Sequence, residues 1–270
     1  MQHSDFRWII QKTLTGRETL QQLIGAVEQN NATSELIDVI PFDPYIHYTP
    51  KDDRHPIIYG SSTFMYGSYR HPYLKKGVFY DPETFRMSIY LQHWGDNMLN
   101  ADAVVLTASR LHELDLPPDH RVFVRPDDDS KSFSGMVCCY EEALDRFLQL
   151  DMSNPYLHGE SELFLSSVKE VDREWRCFIV KGRVVSASRY RIRGETRVDE
   201  TDIPEAMIGF AEELCRVFAP HDIFVMDVAL HNEMYKVVEC NCFNSSGTYR
   251  HYWGRIVRAV QEHIIETATM

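Results

Sequence analysis

Residues 224–247 read FVMDVALHNEMYKVVECNCFNSSG, and the spacing within them decides the architecture. Two apolar runs, 223–230 and 235–240, flank Asn232 and read as an antiparallel hairpin. With a loop at 232–234, His231 pairs with Tyr235, and counting outward sets Asp227 opposite Glu239 on one face. Asn241, two residues further, falls on the same face. Ionised carboxylates beside Val228, Val237 and Val238 are costly unless something neutralises them. A few hard oxygen ligands suit Mg²⁺ that keeps waters and takes its other ligands from phosphates. Two alternatives stay open here: an exposed sheet face with ordinary carboxylates, and a one-residue slip that separates Asp227 from Glu239.

A second hairpin lies upstream. Runs 175–180 and 183–188 flank Lys181-Gly182, a two-residue turn signal. Val180 then pairs with Arg183 and Glu174 with Arg189, so Glu174, Arg176 and Arg189 share a face. A guanidinium on that face suits bidentate phosphate contact, and a Glu174–Arg189 surface pair is the plainer alternative. Further upstream, RVFVRPDDDSKSFSG at 121–135 is a strand delivering Arg125, then a small polar loop with Lys131 that can cradle phosphate. The three aspartates at 127–129 would repel a triphosphate and are expected to face solvent.

Around these, 36–40 and 56–59 read as buried strands, and 13–29, 81–94, 210–218 and 256–265 as helices. Strand-rich segments with helices between them indicate α+β, preceded by a small α/β unit, and no parallel doubly wound sheet. The net charge of −12 excludes a sequence-independent nucleic-acid binder, although a local basic cleft stays compatible with it. No apolar run approaches the ~20 residues of a membrane span, and residues 1–6 are polar, so a cytoplasmic protein is expected. The six cysteines read as reduced core thiols, and Cys240/Cys242 lacks a second pair for zinc.

Taken in order, these elements resemble the ATP-grasp superfamily from about residue 102 to 249. The resemblance implies an ATP-grasp fold of two α+β lobes clasping ATP, at 106–165 and 166–270, after a pre-ATP-grasp domain at 1–105. The hairpin at 224–247 resembles the family's metal-binding strand pair, which makes Asp227, Glu239 and Asn241 the ligands of Mg²⁺. VFVRP resembles the strand whose basic residue contacts the α- and β-phosphates, with Arg125 where lysine is usual, as in one subset of the superfamily. The loop after it, with Lys131, looks like the phosphate-covering loop. ELFLSSVKEVDREWR is similar to the inter-lobe linker. By that match Ser167, Val168 and Lys169 offer main-chain contacts to adenine, and Glu174 takes the ribose hydroxyls, with Asp172 and Glu170 as alternatives. Arg176 matches the arginine that faces the transferred phosphoryl, and Arg189 joins it as the second catalytic candidate.

The implied activity is an ATP- and Mg²⁺-dependent ligase that converts a carboxylate to an acyl phosphate and joins it to an amine. The expected partners are a small-molecule, peptide or protein substrate, with no nucleic acid and no membrane; a homodimer is left open. Arg189, Arg191, Arg193, Tyr190, Tyr249, 245–247 and 60–62 are the candidate substrate contacts. A nucleotide-binding sensor or scaffold and a kinase-like phosphotransferase are the competing readings.

Overall fold

Alternation of buried side chains between two faces organises the first third of the chain. The computed structural model describes every residue except 14, 15, 41, 42, 44, 130, 131, 149, 151–156 and 270. β1 (Phe6–Gln11) is followed by α1 (Arg17–Gln29), β2 (Thr33–Ile37), β3 (His55–Tyr59), α2 (Ser62–Arg70) and α3 (Met87–Trp94). The strands form a parallel sheet of order β2-β1-β3. Trp8, Ile10, Ile57 and Tyr59 enter one core, and Ile9 and Ile58 enter another on the opposite face. A parallel sheet covered on both faces needs such continuous apolar strands. The strand expected at 36–40 lies three residues earlier and is an edge strand, not a buried one.

β4 (Val104–Thr107), β5 (Arg121–Pro126), β6 (Met136–Cys139), α4 (Tyr140–Phe147) and β7 (Glu162–Ser167) build the next layer. Its antiparallel sheet has the order β4-β7-β5-β6 and a core of its own, in which Val122, Val124, Phe147 and Leu163 meet. β8 (Arg173–Val180), β9 (Arg183–Ile192), β10 (Glu195–Asp199), α5 (Glu205–Val217), β11 (Ile223–His231), β12 (Met234–Cys242) and α6 (Trp253–Ala268) complete the chain. The five strands pair as β10-β9-β8-β11-β12, all antiparallel.

This is the ATP-grasp architecture, with mixed α and β content. The boundaries set at 105/106 and 165/166 fall inside β4 and β7, so neither separates intact units. Nor does the N-terminal sheet have a private core. Phe6, Trp8 and Tyr59 pack with Phe178, Val225 and Ile256 of the last layer, while Ile58 and Phe64 share the other core with Trp175 and Met226. No helix among the described residues is long and apolar enough to cross a membrane.

Candidate active site

A cleft of about 940 Å³ opens between the four- and five-stranded sheets. On one wall β5 alternates: Val122 and Val124 point into their core, leaving Phe123 and Arg125 to the cleft. On the other wall, register places three charged residues side by side. Asp227 on β11 lies opposite Arg176 on β8 and opposite Glu239 on β12.

The Asp227–Glu239 pairing holds by a route different from the expected one. The turn has two residues, Asn232 and Glu233, both at positive φ (48° and 64°), so His231 pairs with Met234. A bulge at Val238 then adds the residue the turn lacks and restores Asp227 opposite Glu239. In the other hairpin the two-residue turn is as expected, with Lys181 and Gly182 at φ 51° and 71°. Two bulges on β9, at Val185 and Tyr190, shift the register there. Glu174 consequently pairs with Arg191, and Arg189 pairs with Trp175.

Arg189 therefore leaves the site. Its guanidinium is held by Asp202 and by Asp199 at 3.5 Å, away from the cleft lining. Arg191 stands in its place, donating to Glu174 at 3.0 Å, and the Tyr190 hydroxyl donates to the same carboxylate at 2.6 Å.

Arg176 grips Asp227 through Nε at 2.8 Å and Nη2 at 2.6 Å, and its Nη1 donates to the Gly247 carbonyl at 2.9 Å. Tyr190 and Tyr249 stack 4.7 Å apart beside this guanidinium. Arg125 crosses from the opposite wall to donate to Glu239 Oε2, and Asn241 Nδ2 donates to Oε1 at 3.2 Å. Burial raises the Asp227 carboxyl to about 6 against the pull of Arg176, with Glu239 adding to the rise. Burial acts in the same direction on Glu239, but Arg125 and Arg176 overcome it and hold that carboxyl down to about 2.

The linker from β7 to β8 forms the next stretch of wall. Val168, Lys169, Glu170 and Asp172 line it, together with Glu174. Val168 and, from β6, Val137 are 39% and 42% exposed, an unusual degree for valines facing a cavity. Ser167 is not free to contact a base as expected, because its amide donates to Asp102 at 3.2 Å and its hydroxyl to the same carboxylate at 2.5 Å. Lys169 reaches Asp102 at 2.9 Å. Lys131 lies outside the described residues.

Sequence reasoning passed over three residues. Asp127 and Asp129 are buried, and only Asp128 of that run is exposed. Asp127 accepts from Arg86 Nε (2.8 Å), from the Ser88 amide (2.7 Å) and from the Ser88 hydroxyl (2.8 Å) at the start of α3. Asp129 accepts from the Cys242 amide at 3.1 Å. The acidic run is thus a structural anchor rather than a solvent-facing stretch; its strand-like in-out-in alternation was the available signal. The third, Asn244, is fully buried and bridges Ile58 O (2.7 Å), Gly77 O (2.9 Å) and Phe79 N (2.6 Å), fixing the loop that carries Gly247 to the N-terminal layer. Nothing in a lone asparagine after a strand announces that role.

A sequence profile of the ATP-grasp domain, the third family of its clade, matches residues 77–263. The chain belongs to this ATP-grasp family. Solved ATP-grasp structures share its fold along nearly the whole length. D-alanine–D-alanine ligase from Bacillus anthracis is 12% identical, with 98% of each chain covered and a TM-score of 0.62. A RimK domain protein of ATP-grasp type from Sphaerobacter thermophilus is 11% identical over 94% of this chain and 99% of that one, at a TM-score of 0.59. The macrocyclase MdnC from Microcystis aeruginosa, solved with its precursor peptide MdnA, is 14% identical over 96% and 99%, at 0.54. At these identities the likeness is one of fold. Curated protein sequences give no match. ATP is the nucleotide that ATP-grasp enzymes use, and the cleft of this ATP-grasp chain is the region that the family match and the fold both cover.

Proposed function

We propose that this protein is an ATP-dependent carboxylate–amine ligase. The observation that carries the reading is the row Arg176–Asp227–Glu239 on the cleft floor, met from the opposite wall by Arg125. Phosphoryl transfer requires placed charge and little covalent help from the protein. Two guanidiniums and two carboxylates at the junction of the lobes are suited to that and to little else.

The donor set fits Mg²⁺: the oxygens of Asp227, Glu239 and Asn241 are hard and few, and they sit together on paired strands. Bound there, Mg²⁺ would neutralise charge on the phosphates. Arg125 is assigned to the nucleotide phosphates, with Lys131 beside it. Val137 and Val168 offer apolar walls for the base, Lys169 a main-chain contact, and Glu174 a ribose acceptor. Arg176, oriented by Asp227 and Gly247, faces the group in transfer. A substrate carboxylate oxygen attacks the γ-phosphorus, the bond to the β-phosphate oxygen breaks, and ADP leaves with the electron pair. An amine then attacks the acyl carbon, phosphate departs, and the amine proton goes to solvent. The catalysis is positioning and charge stabilisation.

The test incubates the protein with Mg-ATP, pooled carboxylates and amines, and hydroxylamine. ADP release with hydroxamate formation supports the ligase. A stable phosphate ester would identify a phosphotransferase instead, and nucleotide binding without ADP release would identify a sensor.

A further inference from the structure

All four carboxylate oxygens of the candidate metal set already have protein donors. Asp227 Oδ1 and Oδ2 take Arg176 Nε and Nη2, Glu239 Oε1 takes Asn241 Nδ2, and Oε2 takes Arg125 Nη1. The two arginines are not equivalent. Arg176 is bidentate, makes a third bond to Gly247 and meets a carboxylate 2% exposed. Arg125 touches Glu239 through a single nitrogen, and that side chain is 23% exposed. A buried two-point pair resists separation, whereas a one-point pair open to solvent exchanges partners at little cost.

We propose that Arg125 is the exchangeable occupant of the cation position at Glu239, so that nucleotide phosphates must draw Arg125 away before a divalent cation binds. This rests on the metal assignment made above. Arg125 would move from one anion to another, from the Glu239 carboxylate to a phosphate, and the freed carboxylate oxygen would become a ligand. Nucleotide binding and cation binding are thereby coupled through one side chain, and the coupling is reciprocal by linkage. Arg125 also spans the two sheets, from β5 to β12, so its release loosens a cross-cleft tie at the moment of loading.

The test uses Mn²⁺ as the probe, its free concentration followed by electron paramagnetic resonance, on the full chain with and without adenylyl imidodiphosphate. The parent is expected to bind Mn²⁺ about tenfold more tightly with the analogue than alone. Arg125→Met, which keeps length and drops charge, is expected to bind Mn²⁺ alone about tenfold more tightly than the parent. Arg193→Met removes an exposed cleft arginine that pairs with Asp172 rather than with Asp227 or Glu239, and is expected to leave Mn²⁺ affinity unchanged. An Arg125→Met protein no better than the parent, or an Arg193→Met protein equally improved, overturns the proposal. A measurement on the parent guards against a variant that does not fold: the analogue must bind in EDTA, and binding only with metal present overturns the order. A parent that binds no Mn²⁺ even with the analogue defeats the metal assignment itself, which is a separate result.

Discussion

Arg176 and Asp227 face each other across adjacent strands and meet through two parallel contacts of 2.8 and 2.6 Å, nearly shut off from solvent. Removing one partner of such a pair leaves the other buried and uncompensated, at a cost of about 3–5 kcal/mol. Glu239 is more open, and its loss leaves Arg125 able to reach water. Asp227→Asn and Glu239→Gln should both lower ADP formation at least about a hundredfold if phosphate charge stabilisation depends on them. Only Asp227→Asn should also lower the melting temperature, by roughly 10 °C for a chain of this size. Equal melting of the two variants would contradict the asymmetry, and near-normal turnover in both would remove the metal role.

Arg125 and Arg176 should separate kinetically. Arg125→Ala removes one charge-assisted phosphate contact, worth about 1.5–3 kcal/mol, so the KM for ATP should rise roughly ten- to a hundredfold. Arg125→Lys, which keeps the charge, should recover part of it. Arg176→Lys keeps charge too but cannot hold Asp227 and Gly247 at once, so its loss should fall on kcat. Steady-state kinetics with varied ATP decides it: an unchanged KM in Arg125→Ala would make that arginine structural.

How much of this was legible follows from how strands carry information. Period-two alternation gives which side chains share a face, and it placed Arg125, Arg176, Asp227 and Glu239 together. It does not give bulges, which packing imposes. In β11–β12 a turn shorter by one residue and a bulge at Val238 cancel, so the expected pairing stands. In β8–β9 the bulges at Val185 and Tyr190 add, so Arg191 replaces Arg189. Ser167 was misplaced for another reason: its partner Asp102 is distant in sequence and the bond exists only once β7 is in the sheet. The hundred N-terminal residues were legible as α/β, but their dependence on the cores of the last layer was not, because shared burial has no local signature.

The loop after β5 divides into a fixed part and a candidate lid. The amide of Asp127 donates to Glu162 O at 3.0 Å while its carboxylate is locked to Ser88 and Arg86. It should therefore resist hydrogen exchange with or without nucleotide. Further along, Phe133 packs on Phe147 at 5.0 Å, and Ser134 and Gly135 beyond it are exposed. The amides of 133–135 should exchange fast alone and slow when Mg-ATP is added. Equal exchange of 133–135 in both states would leave the cleft needing another lid.

His251 supplies the acid limit of the fold. It lies beneath the substrate-side loop, 9% exposed, with its ring edge-on to Phe178 at 4.7 Å and Nδ1 3.0 Å from the Ser186 hydroxyl. Burial, with Arg176 nearby adding repulsion, pushes its pKa down to about 3. The unfolded chain, with an ordinary histidine near 6.5, therefore takes the proton first as pH falls. Stability is complete above that value and is lost progressively as the pH drops towards 3, at about 1.4 kcal/mol per pH unit. Between pH 6.5 and 5 the histidine should thus cost about 2 kcal/mol. His251→Asn keeps a hydrogen-bonding group near the Nδ1 position and cannot titrate, so its melting temperature should fall less between pH 7.5 and 5 than that of the parent. The comparison is internal, because every other titrating group is common to both proteins. Parallel decline of the two melting curves would mean that His251 is hydrated or protonated in the folded state, and that the acid limit belongs to the cleft carboxylates instead.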